Sequence, residues 1–202
     1  VELWLGALER LNKAGITKLA AIHRGFSSFE KGPFRNVPMW DLAIDLKTRV
    51  PDLDMICDPS HIAGNRDLIA FISQKALDLD MAGLMIESHI NPDAARSDAK
   101  QQVTPSALSK IIDELVVRTQ STDNKTFKDT LSILREQIDH LDDEIMQKLS
   151  ARMKISEKIG QYKKENNVTI LQVNRWEEIV QTRIALCKAM GLNEEFTSEL
   201  LK

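Results

Sequence analysis

The chain has 202 residues, of which 43% are apolar, and its formal net charge is −3. This composition excludes a disordered protein, and the slightly acidic balance gives no reason to expect nucleic acid as a partner. Two cysteines are too few for a disulfide framework and no apolar run approaches 18 residues, so we expect a cytoplasmic protein with no membrane span.

The first 105 residues predict an α/β domain. They contain all six prolines and six of the eight glycines of the chain. Apolar runs predict strands at 19–23, 54–58 and 83–89, and amphipathic patterns predict helices near 39–49, near 66–79 and from Thr104. Because the strands are apolar at consecutive positions, we expect a parallel sheet that is buried on both faces. Three βα units in this order are typical of part of a (β/α)8 barrel, which usually takes about 250 residues.

The remaining residues predict an all-α domain. The polar stretch RTQSTDNK at 118–125 has the composition of a linker. One helical pattern then runs from Phe127 to Glu165, a second from Val173 to Met190, and a third begins after Asn193. The first helix would be about 58 Å long, too long for a small domain to bury alone, so we expect it to pair with a second copy of itself. We therefore assign domains to 1–117 and 126–202, with the third helix cut short by the end of the chain.

Polar residues follow each predicted strand. His61 follows the second strand, Glu87 ends the third, and Asp98 lies in the loop after it. The carboxyl ends of neighbouring parallel strands share one edge, so this mixed nitrogen and oxygen set could bind Mn, Fe, Co or Zn. The alternative is that these residues are polar only because loops meet water there. Cys57 lies within the strand, which favours a small buried apolar residue over a ligand.

Three cations interrupt the long helix. Arg152 continues the heptad row of Ile138 and Ile145 and therefore lies on the apolar side. Lys163 is about 16 Å further along nearly the same face, so both could line one pocket. Arg135 lies about 42 Å from Lys163, so it can join that pocket only from a second chain. The alternative for each cation is a solvated position or an ion pair.

The first half resembles the C-terminal part of the DAHP synthases, barrel enzymes that condense phosphoenolpyruvate with erythrose 4-phosphate. The resemblance implies that its units are the last three βα units of the (β/α)8 barrel. The resemblance is carried by HRGFSSFEKGPFRN, DPSHIAGNRDL and ESHINPDAARSDAKQ. It implies that His61, Glu87 and Asp98 are three of four metal ligands, the fourth being a cysteine from an earlier strand. It also implies that Arg24 binds the phosphate of phosphoenolpyruvate. Ala99 stands where the family tends to have glycine, a change that matters if this backbone needs a positive φ.

The second half is similar to the all-helical chorismate mutases, which are intertwined dimers with shared active sites. The similar string is LREQIDHLDDEIMQKLSARMKISEKIGQYKK. The resemblance implies that Arg135 and Arg152 bind the carboxylates of chorismate, while Lys163 hydrogen-bonds the ether oxygen. Arg175 and Gln172 match two further substrate-binding positions, although the family has aspartate at the second.

Together these resemblances imply a bifunctional enzyme of the shikimate pathway, which supplies the aromatic amino acids. We expect the helical domain to convert chorismate into prephenate, and we expect synthase activity only when the rest of the barrel is present. Trp176 stands where the mutase family has glutamate. This departure keeps an alternative open, in which the helical domain is a non-catalytic dimerisation module that binds prephenate or chorismate and inhibits the synthase.

Overall fold

The computed structural model describes residues 1–29, 32–119 and 121–201. The chain folds as two compact units, Val1–Thr122 and Asp123–Lys202. The predicted linker at 118–125 includes Gln120, which lies outside the described residues, as does the last residue, Lys202.

The first unit alternates helices with three parallel strands. Its elements are α1 (Glu2–Lys13), β1 (Ala20–His23), α2 (Trp40–Arg49), β2 (Asp54–Cys57), α3 (Pro59–Ala63), α4 (Ile69–Asp78), β3 (Gly83–Leu84) and α5 (Pro105–Glu114). The strand order is β1-β2-β3, with His23 opposite Cys57 and Cys57 opposite Leu84. The carboxyl ends of the strands therefore lie side by side.

Helices cover one face of this sheet. Met55 and Cys57 of β2 point into a core to which Leu46 of α2 and Ile72 of α4 contribute. On β1 only alternate residues are buried, and Ile22 on the opposite face is 42% exposed. The prediction of strands buried on both faces is therefore wrong for β1, because the helices pack on only one side of this strand.

The third strand is shorter than predicted. The pattern at 83–89 predicts one strand, but β3 covers only Gly83–Leu84. The neighbouring strand β2 ends at Cys57, where Pro59 begins helix α3, so the residues beyond β3 have no strand beside them on that side. Instead, Ser88 forms an isolated parallel bridge with Val103.

The predicted helix near 66–79 begins with a short 3-10 turn at Arg66–Leu68 and continues as α4. By contrast, α5 begins as predicted: the Thr104 hydroxyl accepts a hydrogen bond from the backbone N–H of Ala107, and Pro105 occupies the first helical position.

The second unit consists of three helices, α6 (Lys125–Glu165), α7 (Val173–Ala189) and α8 (Glu194–Leu201). Helix α6 begins two residues before the prediction, because Asn124 accepts a hydrogen bond from the backbone N–H of Phe127 and caps it. Asn193 caps α8 as predicted, through the backbone N–H of Phe196. Within the described ranges, no helix combines the length and the apolar character that crossing a membrane requires.

The apolar row of α6 is exposed in the single chain. Ile138, Ile145 and Ile159 are 57%, 51% and 52% exposed, and α6 contains no buried residue. Arg152 continues this row and is also exposed. The row therefore forms an apolar surface along a helix of 41 residues.

Candidate functional site

The sequence DPSH places His61 on the short helix α3. Asp58 caps this helix by accepting a hydrogen bond from the backbone N–H of His61 at 3.0 Å, and Pro59 follows at the first helical position. The other oxygen of Asp58 lies 2.7 Å from His61 Nδ1. Because Asp58 is 1% exposed, this contact fixes the imidazole ring. A proton on Nδ1 pairs with the carboxylate and leaves the lone pair of Nε2 free to bind a metal.

Three predicted ligands converge on one point. The ligand atoms of His61, Glu87 and Asp98, which we call the His61 cluster, lie within 4.8 Å of one another. His61 Nε2 is 3.8 Å from Glu87 Oε1 and 3.9 Å from Asp98 Oδ2. Ligands about 2.1 Å from one ion lie at most about 4.2 Å apart, so the two distances from His61 are within reach of a single divalent ion. The two carboxylate oxygens lie within 4.8 Å of each other and would need to approach by at most about 0.6 Å. One imidazole and two carboxylates suit Mn, Fe, Co or Zn.

The loops that carry the two carboxylates are held by specific hydrogen bonds. The backbone N–H of Glu87 donates to Ser60 Oγ at 3.0 Å, and Arg66 donates to the carbonyl of Ala99 at 2.7 Å. Asp98 itself has a φ of 51°, whereas Ala99 is not in the left-handed region. The loss of glycine at position 99 therefore requires no strained φ there.

Arg24 follows β1 directly and is exposed. The side-chain amide of Asn36 donates to the carbonyls of Arg24 at 3.3 Å and His61 at 3.0 Å. Asn36 thus links the backbone at the end of β1 to the helix that carries the histidine of the cluster.

Cys57 is fully buried and belongs to the core, as the sequence predicts. Burial, with the Asp58 carboxylate beside it, raises the pKa of its thiol to about 12. The thiol is therefore protonated at neutral pH and packs as a small apolar residue.

In the second unit, three predicted substrate-binding residues line one cavity. Lys163 at the end of α6 meets Gln172 and Arg175 at the start of α7 around a cavity of about 140 Å³, and Trp176 lines the same cavity. Lys163 donates a hydrogen bond to the carbonyl of Ile170 at 2.7 Å. Arg175 forms an ion pair with Glu178 at 2.7 Å.

The other two predicted residues lie elsewhere on α6. Arg135 and Arg152 are exposed, and within the described part of the chain neither forms an ion pair or a side-chain hydrogen bond. Arg135 lies 28 residues before Lys163 on a continuous helix, a distance of about 42 Å. A single chain therefore brings Lys163, Gln172 and Arg175 together, whereas Arg135 and Arg152 do not line this cavity.

The sequence patterns missed the residues that surround the His61 cluster. Asp58 could have been recognised, because Asp followed by Pro is a helix-start signal three residues before His61. Arg35 and Gln101, which contact the carboxylates of the cluster, carry no such local signal.

Two family models match the chain. The DAHP synthetase I family model matches residues 1–123, and the chorismate mutase type II model matches residues 134–202.

The chain is also similar to proteins of Thermotoga maritima. A curated phospho-2-dehydro-3-deoxyheptonate aldolase is 29% identical over 115 residues, which are 57% of this chain and 33% of that protein. A solved truncated form of 3-deoxy-D-arabino-heptulosonate 7-phosphate synthase is 30% identical with a TM-score of 0.45, covering 52% of this chain and 39% of its own. A second solved structure, of phospho-2-dehydro-3-deoxyheptonate aldolase, is 30% identical with a TM-score of 0.49 and covers 55% of this chain and 32% of its own. The chain thus spans about a third of the length of the curated relative.

Proposed function

The chain belongs to the DAHP synthetase I family and continues into a type II chorismate mutase domain, and we propose that its helical unit converts chorismate into prephenate as a homodimer. Both families act in the shikimate pathway of aromatic amino acid synthesis. The observation that carries the proposal is the cavity where Lys163, Gln172 and Arg175 meet.

The chemistry of the rearrangement suits these side chains. Chorismate is a dicarboxylate, and its pericyclic rearrangement requires no nucleophile and no proton transfer. Arginine binds a carboxylate through two parallel hydrogen bonds, which would hold the substrate in its compact conformer. The Lys163 ammonium would donate to the ether oxygen, where negative charge develops in the transition state. The ammonium donates one of its three N–H groups to the Ile170 carbonyl, so donors remain for the substrate.

A second copy of the chain would complete this site. The half-exposed apolar row on α6 supports a helix-to-helix interface, and no other element of the described unit covers it. In an antiparallel pair of α6 helices, Arg135 of one chain would approach Lys163 of the other. Arg152 would then lie within the interface, and a substrate carboxylate there would compensate the burial of its charge.

We propose that the first unit contributes three βα units of a (β/α)8 barrel, at 1–117, and that the His61 cluster is its metal site. The donor set and its spacing support a divalent transition metal. When bound, the metal would polarise the aldehyde of erythrose 4-phosphate. Arg24, at the end of β1, would bind the phosphate of phosphoenolpyruvate.

Subunit mixing tests the shared mutase site. Arg135→Ala and Lys163→Ala homodimers should each lose most chorismate consumption, followed by absorbance. After subunit exchange, half of the dimers carry one chain of each kind, and each mixed dimer contains one intact site. About a quarter of wild-type sites should therefore reappear. Lys154→Ala is the matched control, because Lys154 lies about 200° around α6 from Arg152 and should retain full activity.

The other outcomes are equally informative. Chorismate binding without turnover in the wild-type chain would support a non-catalytic module that binds chorismate or prephenate, in agreement with Trp176 in the cavity. If the wild-type chain consumes chorismate but the mixed variants recover no activity, the shared site is wrong and the mutase activity itself still stands.

A further inference from the structure

The two carboxylates of the His61 cluster each use only one oxygen toward His61. Glu87 Oε1 and Asp98 Oδ2 face His61 Nε2. The second oxygen of each carboxylate accepts a hydrogen bond from a residue outside the cluster: Gln101 donates to Glu87 Oε2 at 2.8 Å, and Arg35 donates to Asp98 Oδ1 at 2.6 Å. Both carboxylates are therefore oriented by neighbours that leave the cluster side open.

These two neighbours are joined to each other. Arg35 Nη1 also donates to Gln101 Oε1 at 2.7 Å, so a continuous path runs from Asp98 through Arg35 and Gln101 to Glu87. Because the Gln101 oxygen accepts from Arg35, its NH₂ group must face Glu87. Gln101 is 1% exposed and has little freedom to leave this arrangement.

The backbone of Arg35 is fixed to the helix that carries the histidine. Its N–H donates to the carbonyl of Ile62 at 3.0 Å, one residue after His61. Gly64, which ends α3, has a φ of 67°, and a Cβ at this position would overlap the Arg35 side chain. Arg35 therefore connects all three members of the cluster: His61 through the α3 backbone, Asp98 directly and Glu87 through Gln101.

We propose that Arg35 and Gln101 are positioning residues that hold Glu87 and Asp98 ready for the divalent cation, an inference that rests on the proposed metal site. The Arg35 guanidinium offsets the repulsion between two neighbouring carboxylates before the ion binds. It contacts only the outer oxygen of Asp98, so it need not leave when the ion arrives. Removing such outer contacts typically weakens metal binding 10- to 100-fold.

Gln101→Met is the sharpest test because it removes both side-chain hydrogen bonds of Gln101 without changing the charge. The 202-residue wild-type chain and the variant are titrated with Co²⁺ and dialysed against Mn²⁺. We expect the dissociation constants to rise about 10- to 100-fold in the variant. The visible absorption of bound Co²⁺ should also change, because it reports the arrangement of the ligands and does not respond to stability alone.

A second variant keeps the test valid if Gln101→Met fails to fold. Arg35 is 47% exposed at its side chain, so Arg35→Met should be tolerated. Loss of its positive charge by itself favours cation binding, so weaker binding by this variant points to lost positioning. Arg49→Met is the matched control: Arg49 forms ion pairs with Asp45 and Glu2, and neither carboxylate belongs to the His61 cluster.

The outcomes separate this inference from the function on which it rests. Because the chain holds three of the four ligands that the resemblance implies, we expect weak binding by the wild-type chain; a complete absence of Co²⁺ and Mn²⁺ binding would overturn the metal site and the positioning role together. Wild-type binding, with unchanged dissociation constants and Co²⁺ spectra in the folded variants, would overturn the positioning role alone. Weaker binding and an altered spectrum in Gln101→Met, with Arg49→Met unchanged, would support it.

Discussion

Acid should destabilise the first unit through His23. This residue is fully buried at the end of β1, and its ring lies among those of Trp4, Phe26 and Trp40, with centroid distances of 6.4, 5.9 and 5.0 Å. Neither ring nitrogen has a well-formed hydrogen bond to a described residue. Burial lowers the pKa of His23 from 6.5 to about 4, and the nearby Pro38 carbonyl offsets only part of this effect.

The direction of the pH effect follows from proton binding. Between pH 6.5 and 4, the unfolded chain protonates this imidazole and the folded chain does not, so the free energy of unfolding falls as the pH falls. Above pH 6.5 both states hold His23 neutral, and below pH 4 both hold it charged. The loss reaches at most about 3 kcal/mol, and between pH 7.5 and 5.5 it amounts to about 1.3 kcal/mol.

The prediction is checked by urea unfolding at pH 7.5 and pH 5.5. Trp4 and Trp40 flank His23, so their fluorescence reports the unfolding of the first unit. All variants carry Trp176→Phe, which removes the tryptophan fluorescence of the second unit. His23→Leu should show a decrease between the two pH values that is about 1.3 kcal/mol smaller than in the parent. His89→Asn, which keeps an acceptor for the Asn91 N–H, should behave as the parent. Equal pH dependence in His23→Leu and the parent would refute the role of His23.

Two further predictions concern backbone conformation and thiol chemistry. Gly64→Ala should lower the free energy of unfolding by more than the roughly 1–2 kcal/mol cost of a left-handed φ alone, because its Cβ overlaps a neighbour. Gly15 has a φ of 85° and open space around it, so Gly15→Ala measures the cost of the left-handed φ alone in the same urea assay. An equal loss of unfolding free energy in the two variants would contradict the overlap at Gly64. Cys57 should react with a thiol reagent at pH 8 only after unfolding, whereas the partly exposed Cys187 should react in the folded protein. Modification of two thiols at equal rates in the native chain would contradict this.

The meeting of the predicted ligands could be anticipated from sequence because it depends on local rules. Parallel strands place their carboxyl ends at one edge, and His61 and Glu87 follow neighbouring strands. The contacts that orient these ligands could not be anticipated. Arg35 and Asp98 are separated by 63 residues, and their ion pair depends on how two loops pack against α3. No periodicity within either loop encodes this distance.

In the helical unit, the sequence predicts the helix but not the exposure of its apolar row. The sequence predicts the length of α6 because its apolar residues recur every three or four positions, and that signal is independent of the partner. The same row leads to the expectation that Arg152 is buried, yet in one chain the row is half exposed and Arg152 lies in solvent. In the proposed dimer the row would lose its water against the second copy, so its burial could not be read from one chain. In the proposed dimer, the stability of the helical unit depends on protein concentration. Arg152 would then be costly to bury without an anion, so substrate binding and dimer stability should reinforce each other.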